Sequence, residues 1–221
     1  MQHHLLILAV VATTTLTACG SKTDANEKNF GAALTQYFDK KGELCLDTRK
    51  WPVDISESDL RFQKDMLHSN LNRMAALEAA GLVKSQDIEV EGKSWDGKPN
   101  GRMFKMKRYE LADAAKPYMK ERDVKSIGLN GSTTVKQVDL CWGKKALDKI
   151  VKWEGPMSFG EYKEANVVYT YKIDDAAAWT RTPAVQAAFP AVKMLLDGAG
   201  SKESKHGVKL TSEGWESRGL D

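Results

Sequence analysis

"LEAAGLVKS" at residues 77–85 and "RYELADAAKPYM" at residues 108–119 are the two stretches whose reading decides this fold. The first ends an apolar helical stripe at Gly81 and passes directly into a β-prone segment. Glycine commonly closes a helix because it adopts the left-handed conformation without a steric penalty. "LVKSQDIEVEG" then reads as a strand, "KSWDGKPNG" has the composition of a turn, and "RMFKMKRYEL" returns as a second strand. Upstream, "SESDL" opens a helical run from Leu60 to Ala80, with Ser56 as cap and Asp59 at the third position. Leu67, Leu71 and Met74 stripe one face of that run. Downstream, a short helix is expected in "ADAAKPYMKERD", beginning near Lys116 because Pro117 is tolerated only in a first turn.

This order of parts over residues 60–120 resembles the second half of a winged-helix module. The resemblance implies a helix packed on a hairpin and, in most such modules, a DNA ligand. A reader of that kind needs amide and basic side chains on its helix and a basic wing for phosphates. Asn70, Asn72 and Arg73 fall off the apolar stripe, and Arg102, Lys105, Lys107 and Arg108 suit a wing. The returning strand ends in "LADAA", whereas the winged-helix pattern often has a Leu-Thr-x-x-Gly step. The formal net charge of +3 is too small an excess to imply a polyanion partner by itself.

The N-terminus points away from nucleic acid altogether. "LLILAVVA" at residues 5–12 is an apolar run too short for a membrane-spanning helix, which needs roughly 20 residues, and it reads as an export signal. Its leading "MQHH" contains no Lys or Arg. Leu16-Thr17-Ala18-Cys19 resembles the lipobox of bacterial lipoproteins. That resemblance implies removal of residues 1–18 and attachment of diacylglycerol and an acyl chain to Cys19, as the one covalent lipid group and with no cofactor. Gly20 follows the cysteine where an aspartate would retain a lipoprotein at the inner membrane, so the periplasmic side of the outer membrane is the expected location. An exported chain does not meet the chromosome, and no nucleic-acid partner is expected. Residues 19–28 read as a lipidated tether, reaching at most about 35 Å when extended. Cys45 and Cys141 remain as an even pair in an oxidising compartment and are expected to form a disulfide. The segments "WPVDIS", "ALEAAGLV", "DLCWGKKALDKIVKW" and "AWTRTPAVQAAFP" are similar to proteobacterial lipoproteins of uncharacterised function.

The expected fold class is α+β, with N-terminal helices and a winged-helix-like hairpin followed by an antiparallel sheet with a packed helix. "NFGAALTQYFDKKG" is a helix, with Phe30, Leu34, Tyr37 and Phe38 on one face and Asn29 as candidate cap. "STTVKQVDLCW" and "ALDKIVKWEGP" are strand candidates separated by "GKK", and "ANVVYTYKID" is expected to pair with residues 146–154. Residues 174–200 are helical with interruptions at Pro183 and Pro190, before a closing strand "HGVKLT" and turn "SEGW". Residues 29–123 and 124–221 are the expected N-terminal and C-terminal α+β subdomains.

Chemistry is sparsely marked. His3 and His4 leave with the signal, while His68 and His206 stand alone on a helix and in a polar loop. No GxSxG elbow, HExxH pair, phosphate-cradling glycine loop or metal-ligand spacing occurs. Glu89 with Glu91 and Asp174 with Asp175 are the nearest to acid–base pairs. Six tryptophans are present, and Trp95 is the candidate interface anchor because it falls in a turn. With Arg102, Lys105 and Lys107 it forms the candidate interface. The reading is a non-enzymatic, membrane-anchored module that binds another protein, in envelope assembly or toxin neutralisation. The competing reading is an envelope hydrolase acting on peptidoglycan or lipid.

Overall fold

Helix α1 (Glu27–Lys41) starts at Asn26, whose side chain accepts from the Asn29 amide at 2.9 Å. The cap is therefore Asn26, and Asn29 instead donates its side-chain amide to the carbonyls of Ser21 and Asp24, at 2.8 Å each. The computed structural model describes residues 21–220, apart from 49, 65, 67, 129 and 130 and the side chains of 126–128. The signal peptide 1–18 and the lipidation residue Cys19 lie outside the described residues. Residues 21–28, most of the expected tether, form a turn and the first residues of α1. That turn is docked: the Trp215 indole donates to the Thr23 carbonyl at 3.1 Å.

The remaining elements are β1 (Glu43–Cys45), β2 (Val53–Ser56), α2 (Glu57–Gln63), α3 (Asn70–Ala79), β3 (Val83–Lys93), β4 (Pro99–Leu111), β5 (Met119–Gly128), β6 (Gly131–Phe159), β7 (Tyr162–Asp174), α4 (Pro183–Ala188), α5 (Pro190–Gly198), β8 (Ser204–Thr211) and β9 (Gly214–Ser217). The fold is α+β with two antiparallel sheets, and strand predominates. A three-stranded sheet has the order β2-β4-β3. A six-stranded sheet has the order β1-β6-β7-β8-β9, with β5 also paired to β6.

Three sequence expectations change. The helix expected from Leu60 to Ala80 is two helices, because Ser69 interrupts it and caps α3 by accepting from the Asn72 amide at 3.2 Å. The helix expected near Lys116 is only a 3₁₀ turn over Asp113–Tyr118, and β5 follows it, paired along its whole length with residues 131–140. The two strands flanking "GKK" are a single 29-residue strand, β6. Gly143 fits there without breaking the strand because a side chain at that position would crowd Ile173 and the Asp174 carbonyl. The pairing of residues 165–174 with 146–154 holds, running from Ala146↔Lys172 to Glu154↔Asn166.

Two apolar clusters hold these layers. The first joins the helix–hairpin unit to the C-terminal helices through Ile55, Met74, Leu77, Leu82, Tyr109, Leu140, Trp142, Trp179, Val185 and Phe189. The second buries Phe30, Leu34 and Phe38 of α1 against Val167, Tyr169, Tyr171, Val208 and Trp215. Phe30 stacks edge-on to Trp215 with ring centroids 4.9 Å apart. The N-terminal helix thus packs on C-terminal strands, and the expected subdomain boundary at 123/124 falls inside β5.

Cys45 and Cys141 form a disulfide, S–S 2.04 Å, between directly paired residues of β1 and β6. It ties together positions 96 residues apart in sequence. The adjacent loop is fixed by Asp139, only 1% exposed, whose carboxylate accepts from the amides of Asp47, Thr48 and Leu140 at 3.2, 3.1 and 2.8 Å. No helix among the described residues is long and apolar enough to cross a membrane.

Candidate functional site: the β3–β4 hairpin

The hairpin that carries the candidate interface is built by alternation. Val83, Ser85, Asp87, Glu89 and Glu91 pair with Leu111, Tyr109, Lys107, Lys105 and Met103 on one face. Tyr109 on that face is buried against the first core, so its charged distal positions continue past the point where α3 and α2 cover it. On the other face Ile88 pairs with Met106 and Val90 with Phe104, an apolar strip outside both buried clusters, with Leu60 of α2 lining the groove at Ile88 and Met106. Gly92 sits beneath Phe104: a side chain there would meet the ring at 2.5 Å.

Trp95 lies in the connecting turn, closed by Ser94 and Lys98, and is 100% exposed. Its indole does not fold back over its own hairpin. Arg102 and Lys105 are exposed on β4, and no salt bridge engages either among the described residues. Lys107 is half-buried, its ammonium 5.6 Å from the centre of the Tyr109 ring. Arg108 is committed to structure: its guanidinium grips Asp54 of β2 through two hydrogen bonds of 2.7 Å. That bond holds the Asp54 carboxyl below the usual carboxylate range. The hairpin thus brings Arg102 and Lys105 together on one strand, puts Trp95 at its tip, and turns Lys107 partly inward.

Three residues of the surface carry no strong sequence signal. Phe62 of α2 is 79% exposed, and Met103 and Phe104 of β4 are 57% and 47% exposed. They line an open groove of about 790 Å³ between the first turns of α2 and the distal part of β4, completed by Ser56, Glu57, Ser58, Arg61 and Lys105. Phe62 falls off the apolar stripe of its helical run, which was the available hint.

The polar side chains of α3 are engaged within the fold. Asn72 donates to the Met66 carbonyl at 2.9 Å, and the Arg73 guanidinium lies 5.6 Å from the centre of the Phe189 ring. α4 packs directly on α3.

The acid–base candidates are dispersed. Glu91 accepts from the Gly101 amide at 2.9 Å, and Asp174 pairs with Lys172 at 3.0 Å. His68 is exposed, and the His206 ring shares a hydrogen bond with the Arg218 carbonyl at 3.0 Å while packing on Tyr37. Glu43, Cys45 and Cys141 offer ligand-type atoms within 4.8 Å of one another. The two sulfurs are bonded to each other, and the Arg122 guanidinium lies 2.7 Å from the Cys45 sulfur and 3.0 Å from Glu43. That cation occupies the position a metal would need. Lys145 is half-buried with its ammonium 4.1 Å from the centre of the Tyr171 ring, and burial pushes its pKa down.

No family model matches this chain, and neither a curated protein nor a solved structure matches it.

Proposed function

We propose that this chain is a membrane-anchored lipoprotein facing the periplasm from the outer membrane, and that it works as a non-enzymatic protein-binding module. The observation that carries the binding reading is the exposed surface on the β3–β4 hairpin. Phe62, Met103 and Phe104 are large and uncovered in a groove that Lys105 also lines, Trp95 is fully exposed in the hairpin turn, and Arg102 is exposed on β4. Aromatic and arginine side chains dominate the energetics of protein interfaces, whereas a contiguous apolar surface left in water is a liability unless something covers it. Diacylglycerol and an acyl chain at Cys19 would together hold the chain on a membrane, where a single chain is marginal.

In this reading residues 60–120 are a winged-helix-type unit put to a new use. The support is the helix α3 stopping at Gly81, with β3 following at once and β4 returning antiparallel. A protein partner is favoured over nucleic acid because Asn72 and Arg73 of the helix are spent on internal contacts. Envelope assembly and neutralisation of an incoming toxin are both served by such a surface.

The test is affinity capture from envelope extracts with the full chain in detergent micelles. Retention of a partner by the wild type, and its loss in both Trp95→Ala and Lys105→Glu, is the expected outcome. Retention by the variants at wild-type level, or no retained protein, counts against the reading. Palmitate labelling that disappears in Cys19→Ala tests the anchor separately.

A further inference from the structure

The class of partner follows from the backbone of β4, given the reading that the hairpin binds protein. β4 has a strand on both edges only at Met106–Tyr109, where β2 reaches it. Toward the tip it is bonded to β3 alone. The amides of Gly101 and Arg102 are already engaged, by the Glu91 carboxylate at 2.9 Å and the Asn100 side chain at 3.0 Å. Met103, Phe104 and Lys105 are left as a strand edge with no strand beside it among the described residues. An uncovered edge is a template for pairing with another chain. This one opens into the groove lined by Phe62, Met103 and Phe104.

We propose that the outer edge of β4 takes up an extended segment of a partner protein as an added strand, and that this segment carries two adjacent apolar side chains flanked on each side by an acidic one. In strand addition the backbone supplies affinity while alternate side chains supply specificity. Successive side chains of β4 alternate faces, so Met103 shares one face with Lys105 and Phe104 shares the other with Arg102. On each face the added strand meets one apolar side chain and one cation. Residues 98–108 contain Lys98, Arg102, Lys105, Lys107 and Arg108 and no acidic residue. Lys107 and Arg108 are occupied by Tyr109 and Asp54, so recognition falls on Arg102 and Lys105.

The same charges argue against a second copy of this chain. A second β4 edge has no acidic residue anywhere in residues 98–108 to set against Arg102 and Lys105. Like charges directly opposite across a ladder are destabilising, whereas acidic residues at those positions are favoured.

The experiment pans a displayed library of random dodecapeptides on the full chain in detergent micelles, then synthesises an enriched peptide. Enriched sequences are expected to place two adjacent apolar residues between Asp or Glu residues. Bound peptide should slow hydrogen exchange at those amides of residues 103–105 that point to the free edge. Methylating alternate amide nitrogens of the peptide should weaken binding at least about tenfold, and so should Lys105→Glu, an exposed substitution that leaves the circular dichroism unchanged. Four results each overturn the proposal: no enrichment of acidic peptides, protection confined to other amides, indifference to N-methylation, or a concentration-dependent dimer that protects the same edge. If envelope partners are still captured while these amides stay unprotected, strand addition fails and the protein-binding reading stands.

Discussion

The Asp139 carboxylate is the side chain on which the loop between β1 and β2 hangs. It is buried, and it accepts from two loop amides while also receiving the amide of Leu140. Hydrogen bonds to a buried charged acceptor contribute more than neutral ones, and removing that acceptor strands its donors. Asp139→Ala is expected to cost about 3 kcal/mol in urea unfolding, with Asp139→Asn losing less. Asp54 makes a smaller, pH-dependent contribution. Its hydrogen bonds to Arg108 hold its folded pKa below the unfolded value of about 3.9. The stability it contributes is therefore fully present above about pH 4 and is lost as pH falls through the folded value. Because the pair is part-exposed, Asp54→Asn should remove no more than about 1 kcal/mol, and only above that pH. Trp95 touches little, so Trp95→Phe should leave the unfolding midpoint unchanged. It should also remove the tryptophan most accessible to acrylamide, since Trp142, Trp179 and Trp215 are each less than a tenth exposed.

At the scale of elements, the disulfide and the hairpins divide into what local sequence could and could not reveal. The Cys45–Cys141 bond was legible from the even count and the expected oxidising compartment, and its long sequence separation makes it matter. Replacing both cysteines with serine should lower stability by about 5 kcal/mol in the chain-entropy treatment, measured by denaturant titration. The β3–β4 hairpin was legible because its signals are local: a glycine stop, alternation and a turn-forming "DGKPNG". β5 was not, since "YMKERD" has helical character on its own and is a strand only because residues 131–140 pair with it. β6 was read as two pieces because a glycine usually punctuates a strand, whereas here it admits a close approach by β7. The candidate site shows the same limit. Trp95 stands out in its turn, but whether Phe62, Met103 and Phe104 are covered depends on elements far away in sequence. Sheet edges also differ in ways only pairing exposes. β6 shifts register three times against β7, after Leu147, Ile150 and Glu154, with Lys149 and Lys152 exposed beside the shifts. Bulges and lysines discourage edge-to-edge pairing, so that edge should stay single where the β4 edge does not.

For the whole molecule, α1 is the piece that makes one unit of both ends of the chain. It covers Val167, Tyr169, Val208 and Trp215, and the Ala33 carbonyl accepts from the buried Ser217 hydroxyl at 3.0 Å. Deleting residues 21–41 should uncover that core and abolish a single cooperative melt, as followed by circular dichroism. The turn before α1 has a consequence for bearing. The Trp215 indole fastens Thr23, two residues after Ser21, where the described residues begin. A lipid on Cys19 would then be joined to it by a leash of two residues, at most about 7 Å long. A molecule moored so closely cannot swing like a buoy on a chain. With the proposed anchor it would stand with α1's first turn and the β9 end toward the bilayer, so the direction in which its hairpins point would become part of what the protein is.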